Sequence, residues 1–393
     1  MPSNPSFQSF INNKPLFYKE IDHKRVHLAY ETVQSYIQKP LTIHVVGTNG
    51  KGSTGRIMAM LLHLQGKKVG HFSSPHILKF NERIWINGQD SDDKTLEEAH
   101  QELYAILGQS ISDALSYFEY TTLLALVAMQ ELEIIILEAG LGGEFDATNV
   151  APKALSVITP IGLDHQDFLG DTIEAIATTK LNSIEKKAVI GLQINKKICD
   201  IAQEITNKKG ANLFTVQEFL ANNLKESEAV LRITQEMGWS DYLYENTLLA
   251  LFSLKILNLS YNINDLYKIK LFGRFYQLQK NIIIDVGHNL LAGEAIVKSL
   301  KKKYNRDEII LVYNTLEDKD FKGIVKLFAP FVKRIEIINI DTPRAIDAHS
   351  LKEEIEKNNL LYKVFESIEP DQKYVVFGSF YVVEAFLKKV DFV

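Results

Sequence analysis

Hydrophobic residues in the first two-thirds of the chain fall into short continuous runs that alternate with longer helical patterns. The first run, residues 41–46, is rich in β-branched residues and leads through a glycine-rich turn into a helical pattern over residues 57–64. The pattern Thr-x-x-Glu at residues 95–98 resembles a capping box and predicts a helix that ends near Gly108, and residues 121–130 predict another helix. Further apolar runs predict buried strands at residues 67–72, 132–137 and 154–159. Buried strands that alternate with helices predict a mostly parallel sheet covered on both faces.

A second set of such elements follows Gly273. A helix is predicted from Leu291, and apolar runs predict strands at residues 281–284, 308–312, 334–340 and 374–377. The sequence therefore predicts two domains, residues 1–272 and a smaller α/β domain of residues 273–393. No linker rich in proline or serine marks this boundary.

Composition and charge narrow the classes of function. A chain of 393 residues fits two domains, and 46% hydrophobic with 24% charged residues is typical of a globular protein with sizeable cores. The formal net charge of -5 gives no electrostatic footprint for nucleic acid or an anionic membrane. The only cysteine, Cys199, excludes an internal disulfide framework and a metal site of several cysteines. With no signal-peptide pattern and no apolar segment that could span a bilayer, we expect a soluble cytoplasmic protein.

Residues 47–53, Gly-Thr-Asn-Gly-Lys-Gly-Ser, lie between a predicted strand and a predicted helix, and we call them the phosphate loop. Glycines let backbone N–H groups turn inward around phosphate oxygens, and the helix N-terminus adds its positive end. Lys51 is placed to reach the β and γ phosphates of a nucleotide, and the Ser53 hydroxyl is placed to approach Mg²⁺. The spacing differs from the general P-loop because only two residues separate Gly47 from Gly50. A glycine-rich turn without a ligand is the alternative.

The phosphate loop resembles that of the Mur ligase superfamily, and specifically its folylpolyglutamate synthase/dihydrofolate synthase branch, since Gly52 stands where the ligases of cell-wall precursors usually have Thr. Further stretches match this branch in order: SSPHILKFNERIWING (73–88), FEYTT (118–122), EAGLGGEFDATNV (138–150), ITPIGLDHQDFLG (158–170), GRF (273–275), DVGHN (285–289) and FGSFYVVEA (377–385). The resemblance spans roughly residues 22–385. It implies a P-loop domain of the Mur ligase type with a mostly parallel sheet, followed by a smaller Rossmann-like α/β domain that contributes to glutamate and nucleotide binding.

The resemblance also implies a set of site residues, grouped by ligand. The ATP-binding group is Thr48, Asn49, Gly50, Lys51, Gly52, Ser53, Asn246, Arg274 and Asp285. The magnesium ligands are Ser53, Ser74, Glu138 and His165. The folate-binding group is Phe118, Glu119, Tyr120, Thr121, Phe145, Asp146 and Ala147. Glutamate is bound by His288 and Ser379, and the catalytic residues are Lys51, Lys180 and His288.

Several of these residues have an alternative role. Phe118 and Tyr120 could be ordinary core residues, and His165 could be a hydrogen-bonded loop residue. Arg274 could be an exposed structural arginine. Lys180 matches a lysine that this superfamily often carries as a carbamate, and an unmodified lysine in contact with phosphate is the competing interpretation.

Two departures from the family pattern lie near Lys180. The family usually shows Glu-Lys-Ala-Gly-Ile around this lysine, whereas this chain has Thr179-Lys180-Leu181-Asn182-Ser183. Glu144 also replaces a common arginine in the Gly-Gly-Arg stretch.

The implied reaction is the ATP-dependent ligation of L-glutamate to dihydropteroate, to folate polyglutamates, or to both, through an acyl phosphate. The implied ligands are ATP as co-substrate, Mg²⁺ and a possible carbamate on Lys180, and the partners are small molecules, neither nucleic acid nor a membrane. A Mur-type ligase acting on a cell-wall nucleotide precursor and a non-catalytic nucleotide-binding protein are the alternatives. A dinucleotide fingerprint at EAGLGG is disfavoured because Phe145 stands where a small residue is needed. The length of the glutamate tail and the oligomeric state are open, with a monomer expected.

Overall fold

The computed structural model describes residues 4–15, 22, 24–306 and 308–392. By internal packing the chain divides into a first unit, Met1–Val230 with Glu245–Ile269, and a second unit, Leu231–Tyr244 with Lys270–Val393. The hydrophobic pattern placed the division after residue 272 and assigned Leu231–Tyr244 to the first domain. That segment packs with the second unit partly through Tyr242, whose hydroxyl donates to Asp285, and such a distant contact leaves no local pattern in the sequence.

The first unit contains an eight-stranded, mostly parallel sheet, which confirms the predicted fold class. The strands follow the order β4-β3-β2-β5-β1-β6-β7-β8, and the neighbours from β2 to β8 pair in parallel, whereas β3 and β4 are antiparallel additions at one edge. Their bounds are β1 Leu41–Val46, β2 Val69–Phe72, β3 Ile84–Ile86, β4 Gln89–Asp90, β5 Ile134–Glu138, β6 Leu155–Ile158, β7 Lys187–Ile190 and β8 Asn212–Thr215.

Helices pack against this sheet. Those within the first unit are α1 Phe7–Asn12, α2 Arg25–Val33, α3 Lys51–Leu64, α4 Asp93–Ala114, α5 Tyr117–Ala128, α6 Gln166–Leu169, α7 Ile173–Leu181, α8 Lys197–Lys209 and α9 Val216–Asn222. Helices α10 (Leu224–Glu236) and α11 (Asp241–Ile256) carry residues of both units. Short 3₁₀ helices occur at Phe80–Arg83, Ala147–Val150 and Ile263–Lys268.

The predicted start of helix α4 is wrong. Its N-cap is Asp92, whose carboxylate accepts the backbone N–H of Thr95 at 2.7 Å, so Thr95 is already inside the helix. Asp is at least as good an N-cap residue as Thr because its side chain also accepts an otherwise unpaired N–H of the first helical turn. Gly108, at φ 72°, interrupts the helix, but the helical path resumes and ends at Ala114.

The second unit contains a six-stranded sheet in the order β13-β12-β11-β14-β10-β9, parallel except for β9. Its elements are β9 Tyr276–Gln279, β10 Ile282–Ile284, α12 Leu290–Lys303, β11 Ile309–Tyr313, α13 Phe321–Phe328, β12 Arg334–Ile337, α14 Ala348–Lys357, β13 Tyr362–Val364, β14 Lys373–Phe377 and α15 Phe380–Lys389. Strand β10 pairs with β14, and β14 with β11, so the loops after these three strands lie at one edge of the sheet.

The central strands of both sheets are buried almost throughout, which accounts for their continuous apolar sequence. Within the described residues, no helix combines the length and the apolar character that crossing a membrane requires.

Candidate active site

The phosphate loop connects β1 to α3 in the strand–loop–helix order that the sequence predicts. The backbone N–H groups of Thr48 and Asn49 donate to the carbonyl oxygen of Pro160 at 2.9 and 3.2 Å, so the loop is fixed to the segment that follows β6. Lys51 begins helix α3, and its Nζ donates to the carbonyl oxygens of Gly47 and Thr48 at 3.2 and 3.1 Å. The cation therefore folds back over the loop, where it would face bound phosphate.

Two glycines of the loop leave no room for a side chain. Gly47 has φ +149°, and a Cβ there would lie 2.0 Å from Thr159 Oγ1. Gly50 has φ +84°, and its Cβ would lie 2.5 Å from Oδ1 of Asn246 on helix α11. Asn246 is 3% exposed, and its Nδ2 has no hydrogen-bond partner among the described residues. The first unit thus places a buried, unsatisfied amide directly against the phosphate loop.

The residues predicted to bind magnesium follow four adjacent parallel strands. Ser53, Ser74, Glu138 and His165 lie after or at the ends of β1, β2, β5 and β6, whose carboxyl ends share one edge of the sheet. The Ser74 N–H donates to Glu138 Oε2 at 3.3 Å, which joins two of them. His165 has φ 53°, and its ring lies 4.0 Å from the carboxylate of the preceding aspartate.

This donor set fits Mg²⁺ in part. Ser53 Oγ is buried and has no partner among the described residues, as expected for a hydroxyl that awaits a ligand. The described residues hold no group of three or more His, Cys, Asp or Glu that could enclose a metal ion. Magnesium commonly keeps waters and phosphate oxygens as its remaining ligands, so a protein cage is not required.

Lys180, on helix α7, is the most perturbed lysine near the loop. It is 3% exposed, and its pKa is lowered to about 7, first by burial and then by the Lys51 cation, against the opposing charges of Asp164 and Asp146. A substantial fraction of this amine is therefore neutral at neutral pH, and a neutral amine is a nucleophile.

The loop of residues 141–146 packs directly on helix α7. A Cβ at Gly143 would lie 2.5 Å from the carbonyl oxygen of Lys180, and the Glu144 N–H donates to the Thr179 carbonyl at 2.9 Å. Phe145 is 48% exposed, whereas Asp146 and Ala147 are buried. Both oxygens of Asp146 already accept hydrogen bonds from within the chain, so the structure gives this carboxylate a role in closing the loop.

The predicted folate segment of residues 118–121 divides into a half-buried and a buried part. The ring of Phe118 stacks on Phe72 at 5.9 Å. Tyr120 is fully buried, and its hydroxyl lies 2.8 Å from Nδ1 of His100, so core packing accounts for this side chain. Glu119 pairs with Arg25 at 2.7 Å and accepts the Ser116 N–H, and Thr121 is buried in the same helix.

In the second unit, the loops after β10 and β14 bring together most of the remaining predicted residues. Asp285 is 4% exposed and accepts from the Tyr242 hydroxyl at 2.5 Å and from the N–H groups of Phe275 and Gly287 at 2.7 Å each. Burial raises the pKa of Asp285, and these donors oppose the shift. Sequence reasoning missed Tyr242, because this residue lies outside every matched motif.

The guanidinium of Arg274 lies 5.0 Å from the centroid of the Phe380 ring, beside the residue that precedes helix α15. That residue, Ser379, is 4% exposed and caps the helix by accepting the Val382 N–H at 3.2 Å. His288 Nδ1 lies 3.3 Å from the Val286 carbonyl. Arg274, His288 and Ser379 therefore lie on neighbouring loops of one sheet edge.

Family models match most of the chain. The Mur ligase middle domain matches residues 45–276, and the glutamate ligase domain of Mur ligases matches residues 273–378. The chain belongs to the Mur ligase family.

Individual relatives place it in the dihydrofolate synthase/folylpolyglutamate synthase branch of this family. The dihydrofolate synthase/folylpolyglutamate synthase of Haemophilus influenzae is 30% identical, with 96% of this chain and 97% of that protein covered. The crystal structure of Helicobacter pylori folylpolyglutamate synthetase is 37% identical, covers 97% of each chain and superposes with a TM-score of 0.77. The structure of Escherichia coli FolC in complex with DHPP and ADP is 26% identical, covers 98% of each chain and has a TM-score of 0.82. The resemblance predicted from the motifs is confirmed.

The two departures from the family pattern contact each other. Glu144 stands at the position of the usual arginine and Asn182 at that of the usual glycine, and Asn182 Nδ2 donates to Glu144 Oε2 at 2.8 Å. The carboxylate is thus held on the end of helix α7. The two replacements are thus hydrogen-bond partners of each other.

Proposed function

We propose that this Mur ligase family member joins L-glutamate to the terminal carboxyl group of a folate-type acceptor in an ATP-dependent reaction. The observation that carries the proposal is the phosphate loop, fixed on Pro160 with Asn246 against Gly50, at the sheet edge that also carries Glu138. Lys180 on helix α7 lies close enough for the Lys51 cation to lower its pKa. Relatives named for folylpolyglutamate and dihydrofolate synthesis, one of them solved with ADP, support the choice of substrates.

The chemistry requires activation of the acceptor. A carboxylate does not react with an amine at neutral pH because its oxygen is a poor leaving group. Transfer of the γ-phosphoryl group of ATP to the carboxylate gives an acyl phosphate and ADP. The amine of glutamate then attacks the acyl carbon, inorganic phosphate leaves, and an amide bond remains. Lys51 neutralises charge on the transferring group, so the contribution of the protein is mainly positioning and electrostatic stabilisation.

Ser53, Ser74, Glu138 and His165 are the residues that would hold Mg²⁺. When bound, the ion supplies positive charge that offsets the charge on the phosphate oxygens. The Ser74–Glu138 contact orients two of these residues without it, and the Ser53 hydroxyl is buried with no partner among the described residues.

Lys180 is the residue we assign to a carbamate. Its neutral amine would attack CO₂ and release one proton, giving an anionic carbamate in place of a buried amine. This conversion would replace repulsion from Lys51 by attraction, because Lys51 is the cation that lowers the pKa of Lys180. The buried carboxylate so formed would add an oxygen ligand beside the phosphate loop.

In the second unit, we assign Arg274 and Asp285 to nucleotide binding and His288 and Ser379 to glutamate binding. Arg274 carries the positive charge suited to phosphate. Asp285, already committed to three donors, would act through the conformation of its loop as well as by direct contact. In the first unit, Phe145 is the exposed member of the folate group and the one most open to an acceptor. The monomeric state and the cytoplasmic location remain predictions of the sequence.

Both dihydropteroate and tetrahydrofolate are expected to be substrates. The two reactions share one chemistry and differ mainly in where the pterin must lie, because the second acceptor is longer by one glutamate. Glu144, the negatively charged residue that replaces the usual arginine beside the loop of residues 141–146, is held at the end of helix α7 by a hydrogen bond from Asn182. Steady-state incorporation of labelled glutamate, measured with each acceptor side by side and with ATP omitted as the control, tests this expectation. Incorporation into tetrahydrofolate alone would restrict the enzyme to chain elongation.

A further inference from the structure

Three buried side chains link strand β1 to the loop of residues 141–146. His44 Nε2 lies 2.8 Å from Thr148 Oγ1, and the Thr148 hydroxyl donates to Asp146 Oδ1 at 2.6 Å. The exposed fractions are 0% for His44, 1% for Thr148 and 4% for Asp146. His44 belongs to the strand that leads directly into the phosphate loop. This relay therefore joins the nucleotide side of the sheet to the loop that packs on Lys180.

Hydrogen-bond chemistry fixes the direction of the relay. A hydroxyl has one hydrogen, and Thr148 gives it to the carboxylate, so its lone pair must accept from His44 Nε2–H. Burial and the nearby Lys153 cation hold the pKa of His44 well below its usual range, so the ring is neutral and Nδ1 carries no hydrogen. Nδ1 has no partner within the part of the chain that the structure describes. The polar contact found for the His44 ring is the one to Thr148.

Asp146 passes this constraint on to the loop. Its Oδ2 accepts the Leu141 N–H at 2.6 Å, and its Oδ1 also accepts the Thr148 N–H at 3.0 Å, so the carboxylate closes residues 141–146 into a ring. The opposite side of the ring lies on helix α7 through Gly143 and Glu144. Phe145 projects from it with 48% of its surface exposed.

We propose that His44 and Thr148 are positioning residues for the acceptor, which hold Asp146 so that the loop presents Phe145 to the folate. This inference rests on the proposed function for the identity of the acceptor. Neither residue touches a substrate; each acts through Asp146.

The test replaces the Thr148 hydroxyl by a methyl group of similar size. Thr148→Val keeps the shape of the side chain and removes the hydroxyl, so the carboxylate loses a donor and His44 loses its acceptor. We expect the KM for tetrahydrofolate to rise by about tenfold and the KM for ATP to change by less than about twofold. Thr148→Ser, which restores the hydroxyl, should return the KM for tetrahydrofolate to within about twofold of the wild-type value.

Thr206→Val is the matched control. Thr206 is also fully buried in the first unit, but its hydroxyl donates to the Ala202 carbonyl at 2.8 Å within helix α8. This variant loses a buried hydroxyl of the same kind, and both KM values should remain unchanged. A purely structural role for Thr148 would lower the amount of active enzyme without separating the two KM values.

Hydrogen exchange at the Leu141 amide gives a second measurement that needs no turnover. Exchange should be faster in Thr148→Val and unchanged in Thr206→Val. An unchanged KM for tetrahydrofolate in folded Thr148→Val, or a Thr148→Ser variant that behaves like it, would overturn the proposal. If Thr148→Val does not fold, His44→Leu with His44→Gln as the donor-retaining partner gives the same comparison. Failure of the wild type to ligate glutamate would count against the proposed function, whereas unchanged Leu141 exchange would count against the relay.

Discussion

Lys51→Ala is expected to lower kcat for glutamate ligation by about a hundredfold or more and to leave the fold intact. Lys51 Nζ lies over the phosphate loop, held by the carbonyl oxygens of Gly47 and Thr48. In the transition state it would face the transferring phosphoryl group, where charge is spread over the equatorial oxygens. Loss of this cation would also let the pKa of Lys180 rise, because Lys51 is one of the groups that lower it. Steady-state phosphate release, with circular dichroism as the check of folding, measures the effect.

Lys67→Ala is the control for this variant. Lys67 belongs to the same unit, but it is only partly buried and pairs with Glu133 at 2.7 Å. An ion pair screened by solvent in this way contributes little to stability, so turnover should stay near the wild-type rate. Near-normal turnover in a folded Lys51→Ala enzyme would contradict the assignment of residues 47–53 to phosphate binding.

Lys180→Ala is expected to cause a loss of similar size, about a hundredfold in kcat, because it removes both the buried amine and the anion formed from it. The pKa of about 7 sets the pH dependence. Below that pH the amine is protonated and does not react with CO₂, and the neutral fraction grows as the pH rises through 7. After depletion of CO₂, reactivation of the wild type at a fixed concentration of dissolved CO₂ should be faster about one pH unit above this pKa than about one unit below it.

Lys153→Ala is the matched control for Lys180→Ala. Lys153 is also a buried lysine of the first unit, with a pKa lowered to about 8 mainly by burial, and it donates to the Ser183 carbonyl at 3.1 Å. Its removal should lower the free energy of unfolding and leave the dependence on bicarbonate intact. Full activity of Lys180→Ala, or wild-type activity that is insensitive to bicarbonate at every pH, would contradict the carbamate assignment.

The strands that position the site were predictable because burial on both faces makes them continuously apolar. β1 has the predicted bounds, and β5 and β6 differ from the predicted runs by a few residues at their ends. Strands β8 and β13 escaped prediction because they are short and only partly buried, so their sequences lack a clear apolar run. The Thr-x-x-Glu pattern predicts the start of α4 at Thr95, whereas the structure shows that Asp92, just upstream, caps the helix.

For the site, local motifs predict the phosphate loop and its position between a strand and a helix. Contacts between residues that are distant in the sequence could not be predicted from such motifs. Asp146 is predicted from a family motif as a folate contact, and the motif does not indicate that its oxygens also accept hydrogen bonds from Thr148 and Leu141. The hydroxyl of Tyr242 meets Asp285 across a long stretch of sequence, and only the tertiary fold reveals it. Tyr120 matched a family motif, yet the chain buries it completely against His100. A motif indicates which residues lie near a site, and packing decides which of them a ligand can reach.

Oxygen transfer from acceptor to phosphate tests the central claim most directly. Tetrahydrofolate whose terminal carboxylate carries heavy oxygen would be incubated with ATP, glutamate and the enzyme, and the released phosphate would be analysed by mass spectrometry. Ligation through an acyl phosphate predicts that each phosphate released during ligation carries one labelled oxygen from the carboxylate. Ligation with phosphate that contains no label would contradict the acyl-phosphate route, and ATP turnover without any dependence on acceptor or glutamate would contradict the ligase assignment itself.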